Sequence, residues 1–152
     1  MSGEPVPLQY RAPAASSRIA LIADSFEDLL GRPLVLAGDD VIAALWDLPC
    51  AVVAHGTEVD PLFFFGNRAA LAAFESDVTR FVGMPSRLSA EAPLRDERQS
   101  LLERVSRDGF IDDYFGVRIS ATGRRFRIDR AVVWNLVDGQ GVRHGQAATF
   151  PL

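Results

Sequence analysis

The sequence predicts an α+β fold: a five-stranded antiparallel sheet with its helices on one side, preceded by N-terminal helices. Three observations predict it. Two short apolar runs, 50–54 and 62–65, are separated by a gap that suits an antiparallel hairpin. About forty C-terminal residues read as three strands, joined by Thr122-Gly123 and by Asp138-Gly139-Gln140-Gly141, both with hairpin-turn chemistry. Between these blocks lie only helical patterns, so strands and helices are segregated and do not alternate as in a parallel βαβ chain.

Taken in order, residues 1–15 read as a flexible tail, because Pro5, Pro7 and Pro13 stand among small and polar residues. Residues 16–48 form a helical segment. Its first helix, 17–30, repeats Ile19, Ile22, Phe26 and Leu29 on one face, and Gly31 with Pro33 stops it. Asp39 caps a second helix that Pro49 ends. Residues 49–152 form the sheet domain. Strand 50–54 closes at His55-Gly56-Thr57, and strand 62–65 follows Asp60-Pro61. Asn67 caps a helix rich in alanine, and a short turn occupies 78–82. The longest helix of this half runs from Pro93-Leu94 to about residue 107, with Leu94, Leu101, Leu102 and Val105 on one face and Gly109 as its C-cap. Strands 113–120, 125–137 and 142–150 complete the chain.

The bulk numbers fit one globular core. The chain has 152 residues, 48% of them apolar and 24% charged. No stretch approaches the roughly 18 apolar residues of a membrane span, and the N-terminus lacks the apolar run of a signal peptide. The expectation is a soluble cytoplasmic protein without membrane contact. The net charge of −4 argues against direct nucleic-acid binding. Arg124, Arg125, Arg127 and Arg130 form either a local basic patch or a solvated strand face. The lone Cys50 excludes an internal disulfide and a multi-cysteine zinc site, and reads as a small buried hydrophobe.

The stretch Phe63-Phe64-Phe65-Gly66-Asn67-Arg68-Ala69-Ala70-Leu71 resembles the second strand and Asn-capped helix of PAS domains. The match is closer to the PAS-related MEKHLA family. It is carried by His55-Gly56-Thr57-Glu58-Val59-Asp60-Pro61, Pro85-Ser86-Arg87-Leu88-Ser89-Ala90-Glu91, Gly109-Phe110-Ile111-Asp112, Gly116-Val117-Arg118-Ile119-Ser120, Thr122-Gly123-Arg124-Arg125-Phe126 and Gly145-Gln146-Ala147-Ala148-Thr149-Phe150. That family includes small stand-alone bacterial proteins and the C-terminal domain of plant class III homeodomain-leucine zipper transcription factors. The resemblance implies a sensory or regulatory module and supplies no cofactor or reaction.

Several residues are candidates for ligand binding. His55, with Asp60 nearby, suits a general base or a metal ligand, but a histidine that ends a strand and bonds its turn is the simpler reading. His144 is the other histidine, and the first and last strands of a PAS-like sheet are neighbours. Asn135 and Gln146 lie on strands where amides meet the ring edge of a non-covalently bound flavin, or else satisfy each other or the backbone. Arg87 suits an anionic group, or pairs with Glu91. Tyr114, Arg118 and Ser120 share one face of their strand. Phe115, Val117 and Ile119 share the other, which is expected to meet the core. The helix before the last three strands lacks the histidine of haem-binding PAS domains. The Asn-Cys-Arg-Phe motif of covalent flavin photoreceptors is absent, so both chemistries are disfavoured and the cofactor is left unknown.

Strand 131–137 is apolar on both faces apart from Asn135, and so needs a cover on the outer side of the sheet. Helix 17–30 supplies it, either within the chain or across a homodimer. Three functions remain open: a ligand- or partner-binding sensor, a dimerisation scaffold filled by its own phenylalanines, and a small enzyme using His55, Asp60 or Asp113. The enzyme is disfavoured, since no carboxylate stands on an apolar inward face.

Overall fold

A computed structural model describes residues 5–36, 38–90 and 95–152, with backbone alone at 95–98 and 102. Five strands form one antiparallel sheet in the order β2-β1-β5-β4-β3. They are β1 Ala51–His55, β2 Phe63–Gly66, β3 Phe110–Ile119, β4 Arg125–Val137 and β5 Arg143–Phe150. The chain opens with α1 Leu8–Arg11, α2 Pro13–Leu30 and α3 Val41–Asp47. Helices α4 Arg68–Ala73 and α5 Val78–Phe81, a 3₁₀ turn Ser86–Ser89 and α6 Arg95–Asp108 lie between β2 and β3. The expected start of α6 at Pro93-Leu94 and the pairing of Arg87 with Glu91 fall on residues outside those described.

The N-terminal tail is shorter than the sequence suggests. Pro13 starts a helix instead of breaking one, because its fixed φ and missing N–H suit the first helical turn. Ahead of it, Tyr10 of α1 is buried among Trp46 and Phe65. Its hydroxyl donates to the Gly66 carbonyl (2.9 Å) and accepts from the Gly66 N–H (3.1 Å). Burial pushes the phenol up to about 12, so it stays a neutral donor. The outward edge of β2 is closed further by Met84, whose carbonyl accepts from Phe63 N–H, and by Gly83, whose N–H donates to Phe63 O.

Arg11 and Asp40 clip α1 to the start of α3, with two bonds of 2.8 Å. The guanidinium, with the N–H of Ala43, holds the Asp40 carboxyl down at about 2. A depressed carboxyl contributes fully above its unfolded value near 4 and loses that contribution as the pH falls towards 2. The protection factor of the α1 amides, their exchange relative to the intrinsic rate at each pH, is therefore expected to fall across that window. Asp40→Asn should already show the lower protection factor at neutral pH and no further fall; an unchanged wild-type protection factor would refute the clip.

The outer face of the sheet is covered by α2. Its Ile22 carbonyl accepts from the indole N–H of Trp134 (3.1 Å), and Phe26 meets that ring edge-on at 4.9 Å. Ser25 accepts from Val137 N–H (2.9 Å) and donates to Val137 O (3.2 Å). This is the second layer that the doubly apolar β4 requires, supplied within one chain.

On the inner face, Phe63 stacks on Phe81, and Phe74 meets Phe81, Phe126 and Phe150. Asn67 is fully buried and makes four bonds. Its Oδ1 accepts from Val52 N–H and Ala70 N–H, and its Nδ2 donates to Leu45 O and Cys50 O. One side chain thus caps α4 and ties β1 to the end of α3. Cys50 is half-buried, less enclosed than expected, with its sulfur 3.4 Å from Thr149 Oγ1, whose proton goes to Ala51 O at 2.8 Å.

Candidate functional site

Three register shifts shape the inner face of the sheet. In β3, Asp112 and Asp113 bulge so that Ile111 faces Val133 while Tyr114 faces Ala131. In β4, Arg130 adopts a left-handed φ of 54° and bulges in turn, so Ile128 and Ala131 both point inwards although three residues apart. In β5, Leu136 faces Gly145 but Val137 faces Arg143, leaving His144 as the extra residue.

The first shift corrects an expectation. Tyr114 and Arg118 line the interior, and it is Phe115, 58% exposed, that faces outwards with Val117 and Ile119. The reason is charge. Without the bulge Asp113 would follow Ile111 into an apolar interior, whereas the extra residue leaves both aspartates exposed. The Tyr114 hydroxyl accepts from the Arg118 guanidinium at 3.1 Å, so the polar ends are satisfied while the ring and stem pack.

Between sheet and helices lies a cavity of about 60 Å³, walled by Phe63, Phe74, Phe150, Ile128, Ala131 and Val133 with Leu101 of α6. It is far below the roughly 300 Å³ of drug-sized sites, because the phenylalanines fill most of the interior. His55 and Gln146, paired in register across β1 and β5, also line it. The same two residues line an open cleft of about 460 Å³, bounded by Val59 and Pro61 of the β1–β2 loop, by Gln99, Glu103, Ser106 and Arg107 of α6, and by Arg143. His55 and Gln146 therefore form a polar partition between cleft and cavity.

The partition is organised by amides. Gln146 Nε2 donates to Asn135 Oδ1 (3.1 Å) and to Ser106 Oγ (3.2 Å), and Asn135 Nδ2 donates to Val105 O (3.0 Å). Asn135 and Gln146 thus bond each other and fasten α6 to the sheet. Since a carbonyl can only accept, His55 Nδ1 carries the proton given to Gly56 O at 3.0 Å. That is the turn-bonding role the sequence suggested. Gly145 has no room for a side chain: a Cβ there would run into the carbonyl oxygen of His55.

The other candidates separate. Asp60 is exposed and pairs with Arg87 at 3.1 Å, so neither the His55–Asp60 dyad nor a free Arg87 is formed. His144 binds Asp138 at 2.8 Å beside α2, away from His55. That imidazole is the foremost cause of the lowered Asp138 carboxyl. Asp113 is exposed. Among the described residues no carboxylate lines the cavity, and no group of three His, Cys, Asp or Glu stands ready for a metal. Nor is any helix among them long and apolar enough to cross a membrane. The residue missed in the sequence is Arg143, whose place in the cleft depends on the one-residue bulge at His144.

A family model for the MEKHLA domain matches residues 16–152. The chain belongs to the MEKHLA family. Among plant relatives, this MEKHLA chain is 24% identical over 135 residues to homeobox-leucine zipper protein HOX29 of Oryza sativa subsp. indica, covering 85% of this chain and 16% of that protein. It is 25% identical over 130 residues to REVOLUTA of Arabidopsis thaliana, covering 82% and 15%. The MEKHLA chain thus spans about a sixth of the curated relatives it matches. Its fold is that of PAS domains. The PAS domain of a Colwellia psychrerythraea protein superposes with a TM-score of 0.61 at 12% identity over 73% of this chain and 95% of that one. The photo-excited blue-light photoreceptor Vivid gives 0.61 at 14% over 93% and 98%. A PAS domain of a LuxR-family transcriptional regulator from Burkholderia thailandensis, solved in complex with ethanol, gives 0.55 at 18% over 73% and 96%. A flavin ring does not fit the cavity of the MEKHLA chain, which is too small and packed by Phe63, Phe74 and Phe150.

Proposed function

We propose that this MEKHLA chain is a non-enzymatic sensory module that admits a very small molecule through the His55–Gln146 partition and reports its occupancy through β4 to α2. The observation that carries this is the two-sided engagement of β4. Ala131, Val133 and Asn135 face cavity and partition, while the alternate residue Trp134 holds α2 through Ile22 and Phe26. A group entering the cavity presses on a strand whose other side is the docking surface of the helix, and packed cores respond to such volume changes by moving. The ethanol complex of the similar PAS domain supports an occupant of this size. A binding function is favoured over a catalytic one because, among the described residues, the cavity lining offers His55 as a turn donor and no carboxylate.

The test is a titration with short alcohols, ethanol to butanol, followed by hydrogen exchange at α2. Exchange at α2 should change saturably with the alcohol and no longer respond once Ala131→Val fills the cavity. An α2 that ignores every alcohol would sink the sensor.

Self-association with a second copy is favoured by a separate observation, the outward Phe115 flanked by partly exposed Val117 and Ile119 on β3. Sedimentation should then give a dimer that Phe115→Asp dissociates without unfolding. A monomer at high micromolar concentration would remove this function.

A further inference from the structure

The guanidinium of Arg143 is solvent-exposed and lines the open cleft beside His55 and Gln146. Arg11, Arg68, Arg80, Arg87, Arg107, Arg124 and Arg127 each pair with a carboxylate. Among the described residues no carboxylate lies within 4.0 Å of Arg143, and its bond is from Nε to Asn135 Oδ1 at 3.3 Å. Partial desolvation pulls its basicity below the usual arginine range, yet a guanidinium does not shed its proton in a protein. The result is a solvent-exposed cation on the cleft wall, with no carboxylate partner among the described residues to occupy its terminal nitrogens.

The local backbone explains its place. Asn135 and Gln146 face each other on the inner side, and in a regular ladder His144 would come next on that side, opposite Val137. The bulge gives this position to Arg143 and turns His144 away to Asp138. Gly145 lets the strand pass against His55 O with no side chain in the way. Bulges that re-aim a side chain recur beside binding sites.

We propose that the cleft binds a small aliphatic monocarboxylate, its carboxylate held by the two terminal nitrogens of Arg143 and its apolar end passing His55 and Gln146 towards the cavity. With Nε committed to Asn135, those two nitrogens form a planar fork that matches a carboxylate. A dianion is opposed by Glu103, which lines the same cleft. Arg107, also in the lining, is already paired with Asp108 and does not compete. The cavity of about 60 Å³ accepts the last few carbons of a short chain and no more. This assignment rests on the sensory reading and names its ligand class.

The experiment is calorimetric titration of the whole chain with butyrate, butyramide, butanol and inorganic phosphate, repeated on Arg143→Gln. Butyrate is expected to bind the wild type at least about tenfold more tightly than butyramide, and Arg143→Gln should lower butyrate affinity about tenfold or more while leaving butanol unchanged. Circular dichroism of the variant confirms its fold, and Arg143→Lys should recover part of the affinity. Binding of butanol with no preference for butyrate would overturn the carboxylate assignment and leave the cavity sensor standing. Failure of every compound would overturn both. Tighter binding of phosphate than butyrate would also overturn it, as would equal butyrate affinity in Arg143→Gln.

Discussion

Replacing Asn67 with alanine is expected to destabilise the protein by about 3–5 kcal/mol, measured as a shift in the urea midpoint. The amide is fully buried and serves four backbone groups in three elements: Val52 of β1, Ala70 of α4, Leu45 of α3, and Cys50 just before β1. Truncation removes the partner of two N–H groups and of the Cys50 carbonyl, while Leu45 O keeps the Leu48 N–H, and each buried unpaired group costs about 1–3 kcal/mol before relaxation. Asn67→Asp separates the two halves of the role. It keeps both accepted bonds, loses both donated ones and buries a charge, so it should do no better than alanine. A loss below about 1 kcal/mol in Asn67→Ala would show that water or repacking replaces the amide.

The second large effect is expected at Gly145. Gly145→Ala drives its Cβ into the His55 carbonyl oxygen and against the Gly56 Cα at 3.2 Å, on a backbone with φ of 149°. The obstacle is main chain in the neighbouring strand, so no side-chain rotation relieves it. A loss of about 3–4 kcal/mol follows, or roughly 10 °C in Tm for a chain of this length. Because the displaced segment carries His55 and Gln146, alcohol and butyrate binding should weaken together. Gly139→Ala is the control: nothing stands within 4 Å of a Cβ there, and its Tm should hold. Equal Tm values for the two variants would mean that β1 and β5 can slide apart freely.

The fold was legible because its punctuation is local. Asn67 caps α4, Asp138 to Gly141 turns β4 into β5, and Gly31 ends α2; each works through bonds a few residues away. The phase of β3 was not legible. Its two faces read as polar and apolar, and the rule that apolar faces point inwards would bury Phe115, Val117 and Ile119. Whether Asp112 and Asp113 are accommodated by a bulge is decided by pairing with β4, whose own bulge at Arg130 answers it. Arg143 was hidden for the same reason, since one unpaired residue in β5 exchanges its orientation with that of His144. The Arg87–Asp60 pair was hidden by distance: the two residues are twenty-seven apart, and no periodic pattern links them. Tyr10 was lost because three prolines resemble disorder, although Pro13 in a first helical turn is equally a start signal.

The closed side of the sheet has a consequence for growth. On β2, Tyr10 satisfies both backbone groups of Gly66, and Gly83 and Met84 satisfy those of Phe63, so that margin offers no template to another chain. Among the described residues no strand lies beyond the opposite margin, β3. A sheet with one sealed and one available margin can be extended only once. Two copies meeting there, strand against antiparallel strand, would present sealed margins at both ends, so the assembly terminates as a pair and cannot propagate into a fibre.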